Sequence, residues 1–162
     1  MPRDNLLQSS PPPSNPIKRI HCDGSFDNDS HEAAIGIVIT NAHGQICDGR
    51  AGRVICSSPI EAEAHALLEA CSLAKLDSSS TIIFSNCKSL VDALSGEPSS
   101  WPWRCFAHLS SIVHILREAN WISIKFVNRQ HNKNADWVAR NARLNTLPPN
   151  WTTILSIVSP LL

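Results

Sequence analysis

The chain has 162 residues, 43% of them hydrophobic and 17% charged, and its fourteen basic residues balance its fourteen acidic ones. That length suits one domain with a proper core, and that composition excludes an intrinsically disordered chain. A formal net charge of zero excludes a global field that would draw the protein to nucleic acid or to a membrane surface.

Residues 1–16 hold five of the eleven prolines, interleaved with serine and asparagine. Such a composition builds no core and reads as a flexible leader or the end of a linker. Ile17 to Gly24 alternates as a strand and closes on the turn signal Asp23-Gly24-Ser25. Ala33 to Thr40 is an apolar strand meeting the turn Asn41-Ala42-His43-Gly44, and Gln45 to Val54 returns. Short turns between three strands make an antiparallel meander.

The next element announces its own start. Ser58 is placed as N-cap, Pro59 at the first helical position and Glu61 three residues after Ser58, a capping box. Ile60, Ala64, Leu67, Leu68 and Cys71 recur at helical spacing, so the helix runs to about Lys75. Thr81 to Ser85 reads as a buried strand and Lys88 to Leu94 as a short helix. Pro98, Trp101, Pro102 and Trp103 mark a loop before a helix from about Phe106 to Ala119. Trp121 to Val127 alternates as a strand, and Asn132 to Leu144 is helical. The order β-β-β-α-β-α-α-β-α implies a mixed five-stranded sheet flanked by helices.

Residues 146–162 form an apolar tail whose run from Trp151 is too short and too interrupted to span a bilayer. It is open to packing as a last strand, to covering a partner or to trailing free; packing is the expectation. Six scattered cysteines lack a Cys-x-x-Cys pair, and no signal-peptide pattern precedes them. They point to a reduced intracellular protein, nuclear or cytoplasmic. Seven histidines at no metal-ligand spacing imply no zinc site.

Four residues raise a question of chemistry. Glu63 lies three residues after Ile60 and four before Leu67, on the face that packs on the sheet. Burying a carboxylate there costs several kcal/mol unless a cation or donors meet it; the plainer alternative is that it snorkels to water. Asp23 ends a strand before a glycine, as a turn former or a ligand. Asp136 sits in the first turns of the last helix, where the dipole favours an acid in any case. Asn86 follows a buried strand and opens a helix, which an N-cap role explains fully. Between Lys125 and Arg143 five bases stand against the single acid Asp136, either a solvated face or a nucleic-acid contact.

Taken in order, Asp23-Gly24-Ser25, Glu61-Ala62-Glu63-Ala64, Ser85-Asn86-Cys87-Lys88-Ser89-Leu90-Val91-Asp92 and Asn134-Ala135-Asp136-Trp137-Val138-Ala139-Arg140 resemble the ribonuclease H domain. The set is most similar to the plant reverse-transcriptase-like ribonucleases H related to retrotransposon polyproteins, over about residues 17–145. The resemblance implies a sheet of three antiparallel and two parallel strands, and hydrolysis of the RNA strand of RNA–DNA hybrids. It places the four metal-binding positions on Asp23, Glu63, Asn86 and Asp136, with Asp23, Glu63 and Asp136 as the catalytic acids. Two magnesium ions about 3.5–4 Å apart would serve an in-line attack on phosphorus, with manganese as an alternative. Lys88, Arg129, Lys133 and Arg140 become the expected nucleic-acid contacts, on a monomer or a piece of a larger polyprotein.

Asn86 departs from that pattern because an amide carbonyl ligates without charge. Losing one charge beside two divalent ions removes on the order of several kcal/mol of attraction at an effective dielectric of about 20. Asp92, six residues further along a helix, points elsewhere. Many ribonucleases H carry a loop histidine before the last acid; His131 is near, but its loop is short and the role is not assigned to it. Three functions therefore stay open: a weakened hybrid ribonuclease, an inactive nucleic-acid binder, and a protein-interaction domain using the tail and the Trp101/Trp103 loop.

Overall fold

The computed structural model describes residues 17–158. The expected leader at residues 1–16 lies outside the described residues, as do the last four residues of the tail. Strands β1 (Lys18–Phe26), β2 (Ala33–Thr40) and β3 (Ile46–Val54) form the meander. Helix α1 (Pro59–Lys75) leads to β4 (Thr81–Ser85) and the short α2 (Lys88–Leu94). Then follow α3 (Phe106–Glu118), β5 (Ile122–Phe126), α4 (Lys133–Arg143) and α5 (Trp151–Val158).

The sheet order is β3-β2-β1-β4-β5. β1 pairs antiparallel with β2, as β2 does with β3, while β4 runs parallel to both β1 and β5. Three antiparallel strands and two parallel ones are thus present, as expected. The main core joins Ile20, Ile37, Ile83 and Ile124 of the sheet to Leu67 of α1 and Leu109 and Ile112 of α3. α1 and α3 cover this face. On the other face α4 packs on β1 and β2, and a smaller cluster gathers Val38, Val138 and Leu155 with Trp151 against it.

The start of α1 follows its sequence signals with one shift. Ser58 Oγ accepts the Glu61 N–H at 3.4 Å, but the Glu61 carboxylate reaches back to Ser57 N–H at 2.7 Å, one residue before the cap. The tail is a helix rather than a last strand. β3 already closes that edge with a helix beside it: a Cβ on Gly49 would come within 2.2 Å of the Trp151 ring, and Leu155, one turn on, is buried. Residues one turn apart on a helix share a face, so Trp151 and Leu155 anchor α5 together. Among the described residues no helix is long and apolar enough to cross a membrane.

Candidate functional site

Asp23 lies near the end of β1, buried, opposite Gly36 in the register. A Cβ on Gly36 would stand 2.5 Å from Ala139 N, so α4 rests directly on this end of the sheet. Successive side chains alternate between faces along a strand; Asp23 therefore shares the α4 face and Gly24 turns to α1. A Cβ on Gly24 would stand 2.4 Å from the Ala62 carbonyl carbon. Only glycine lets the two backbones come this close. Across that contact Gly24 N–H donates to Glu63 Oε1 at 2.9 Å.

Asp136, in the first turn of α4, completes a group of three acids. Burial pushes the Asp23 carboxyl up to about 10; the negative charges of Glu63 and Asp136, and the hydrogen bonds it shares with both, add to the rise. Burial also raises Glu63, opposed by the hydrogen bonds from Asp23 and Gly24 N–H and by the Arg129 charge. Burial and mutual repulsion thus oppose full ionisation of the Asp23 and Glu63 pair. Asp136 turns outward onto Arg140, one helical turn further on, with which it forms an ion pair.

A cavity of about 370 Å³ opens above these acids, lined by Glu63, Asp136, Asn86, Arg129 and Arg140, with Gly24 and Ser25 at its edge. Asn86 thus stands beside the acids but is not the cap of α2. Cys87 holds that position, and Ser85 Oγ accepts the Cys87 N–H at 3.1 Å, a local serine turn that leaves the Asn86 amide out of the capping. Asp92 pairs with Lys88 at 2.7 Å on the exposed face of α2. Lys88 and Lys133 are exposed and do not line the cavity, nor does His131, which sits in the short turn Arg129–His131.

Magnesium prefers hard oxygen donors, and the three carboxylates in contact are donors of that kind. As the side chains stand, however, Asp136 is paired with Arg140 and Glu63 accepts from Gly24. Among the described residues no three His, Cys, Asp or Glu side chains are arranged to hold a metal ion. In its chemistry the group Asp23, Glu63 and Asp136 fits a hard divalent cation, while Asn86, which also lines the cavity, is a neutral amide.

Two residues that organise this end of the sheet carried no specific signal in the sequence. Asn132, fully buried, donates Nδ2 to the Cys22 carbonyl at 2.9 Å, and its own carbonyl accepts the Asp136 N–H at 3.1 Å. It ties the start of α4 to β1 just before Asp23. Arg143 donates Nε to Ser25 Oγ at 2.8 Å and pairs with Asp27 at 3.4 Å, fixing the rim beyond Asp23. In the sequence Asn132 is only the first residue of a helical stretch and Arg143 one base in a run. The Trp101/Trp103 loop divides: Trp101 is buried with Nε1 on the Ala93 carbonyl at 2.8 Å, whereas Trp103 is 77% exposed beneath the Arg104 guanidinium.

The family described as reverse transcriptase-like matches residues 21–142. No curated protein matches the chain. The N-terminal RNase H domain of Rv2228c from Mycobacterium tuberculosis superposes with a TM-score of 0.71 at 19% identity, over 82% of this chain and 96% of that one. LC11-RNase H1, isolated from compost and solved with an RNA/DNA hybrid, gives 0.69 at 22% identity, over 81% of this chain and 99% of its own. The foamy viral protease-reverse transcriptase, also solved with an RNA/DNA hybrid, gives 0.71 at 20% identity over 79% of this chain. Only 20% of that viral chain is covered. At such identities the likeness is one of fold.

Proposed function

This chain belongs to the reverse transcriptase-like family, and on that premise we propose that its ribonuclease H-like domain binds RNA–DNA hybrids and hydrolyses their RNA strand in a cation-dependent reaction that Asn86 weakens. The observation that carries the reading is the contact of Asp23 with Glu63 and Asp136 beneath an open cavity. Carboxylates crowd together at a cost that a cation relieves. Two of the matched proteins, LC11-RNase H1 and the foamy viral protease-reverse transcriptase, were solved in complex with an RNA/DNA hybrid, which supports the choice of substrate.

Asp23, Glu63 and Asp136 would hold magnesium or manganese, with the Asn86 carbonyl as a neutral fourth donor. A divalent cation supplies charge stabilisation at the attacking and leaving oxygens of an in-line displacement. The chain's own residues do the rest. Gly24 N–H fixes one oxygen of Glu63, a residue that lines the cavity. Asn132 sets the distance between β1 and α4, and so between Asp23 and Asp136. Arg129 and Arg140 face the cavity as partners for phosphate oxygens, and Lys88 and Lys133 extend the positive field along the flanks as a sequence-independent contact.

Binding without turnover is the second reading. It is favoured by the neutral Asn86 together with the pairing of Asp136 to Arg140. A labelled RNA–DNA hybrid separates the two. The parent should cleave slowly with manganese or magnesium, and Asp23→Asn should abolish cleavage. Salt-sensitive binding without cleavage selects the second reading, and absence of both binding and cleavage refutes the proposal.

A further inference from the structure

We propose that Arg140 is an internal counter-ion: it occupies Asp136 in the cation-free protein, leaves when a divalent cation enters, and is then available to a phosphate of the bound strand. The inference rests on the reading of this cavity as the cation-dependent site, and it adds an exchange step which that reading does not contain.

The geometry is local and unavoidable. Arg140 stands four residues after Asp136 on α4, a spacing that brings the side chains together on the helix surface, and the two form an ion pair. Their side chains are 54% and 29% exposed, so water screens the pair and its hold is weak. Arg140 is therefore releasable. Release has a destination, because the same guanidinium lines the cavity beside Arg129 and Asn86.

Charge makes release matter. Glu63 lies in the field of Arg129 and Asp136 is paired to Arg140; each of these two acids already faces a guanidinium. A doubly positive ion entering beside them meets repulsion unless a positive group withdraws. A fourth carboxylate would offset part of that repulsion, but Asn86 brings no charge, so Arg140 weighs more heavily in this chain. Arg140 has a long flexible stem and a fork that matches phosphate geometry. Its movement couples cation loading to strand binding without any change in the backbone.

The coupling predicts opposite effects on the two ligands. Manganese binding to the protein alone, without nucleic acid, is followed by the signal of the free ion or by calorimetry for the parent, Arg140→Gln, Arg140→Lys and Asn86→Asp. Arg140→Gln should bind manganese about tenfold more tightly than the parent, and Arg140→Lys, which keeps the charge, should stay near the parent. With manganese present Arg140→Gln should bind hybrid more weakly than the parent, whereas in chelator, where Arg140 is held on Asp136, the two should bind it alike. If the parent binds manganese and Arg140→Gln binds it no more tightly, the exchange is refuted while the cation-dependent site stands. If no variant binds manganese, Asn86→Asp included, the cation-dependent reading falls and takes the exchange with it.

Discussion

Gly24 on β1 gives its backbone N–H to Glu63 Oε1 on α1 at 2.9 Å, and this bond exists only because the two backbones touch. A Cβ at Gly24 would lie 2.4 Å from the Ala62 carbonyl carbon and 2.6 Å from Glu63 N. Neither is the end of a flexible side chain, so the elements must separate to admit it. Gly24→Ala should cost about 1–3 kcal/mol, as overpacking does, and should release Glu63 from its donor. Chemical denaturation measures the first effect; an unchanged midpoint with unchanged slope would refute the close approach.

Asn132 joins α4 to β1 from inside the protein. Removing its amide leaves the Cys22 carbonyl buried without this partner, at a cost of about 1–3 kcal/mol. Asn132→Ala should therefore lower the thermal midpoint, and it should also lower manganese affinity, since Asp136 hangs from the same turn. Asn132→Asp cannot donate and should not rescue either property. A variant as stable as the parent would contradict the role given to this bond.

Acidification should weaken the fold through two histidines. Burial, with the Arg19 charge adding to it, holds the His21 imidazole down at about 4, and His21 stacks on Phe84 with ring centroids 4.8 Å apart. Burial, then the neighbouring His65, also lowers His108. Between the ordinary value of 6.5 and these lower ones, the unfolded chain binds more protons than the folded one. The histidine contribution to stability is therefore present in full above that ordinary value and is lost as the pH falls toward about 4. Asp27, Asp77 and Glu118, all lowered, add their loss at more acidic pH. The buried Asp23 and Glu63 carboxyls, both raised, act in the opposite sense over the same range, so the histidine contribution is read against His21→Phe, which keeps the stack. The thermal midpoint of the parent should fall relative to that of His21→Phe as the pH drops from 7 to 4. A difference between the two midpoints that stays constant from pH 7 to 4.5 would contradict the assignment.

How far the sequence reveals this molecule depends on the range of the interaction. β2, β4 and α2 begin and end where apolar runs and turn residues place them, because local preference and burial agree there. β1 runs two residues past its expected end at Gly24 because Ser25 and Phe26 find partners in Ala34 and Ala33, a pairing no local pattern announces. The tail reads ambiguously because Thr, Ile and Val suit a strand as well as a helix face; contact with Gly49 of β3 decides for the helix. Asp23, Glu63 and Asp136 are legible as acids in unusual places. The bonds that hold their elements join residues 39 and 110 apart, which periodicity does not reach.

The most direct test of the account replaces one atom group: Asn86→Asp, compared with the parent for the rate of RNA-strand cleavage in an RNA–DNA hybrid with magnesium. Restoring a charge worth on the order of several kcal/mol of cation attraction should raise the rate at least about tenfold and lower the magnesium concentration needed. Asp23→Asn in the same background should remove the gain. An Asn86→Asp protein that cleaves no faster than the parent at any magnesium or manganese concentration would contradict the central claim that this amide limits a three-acid site.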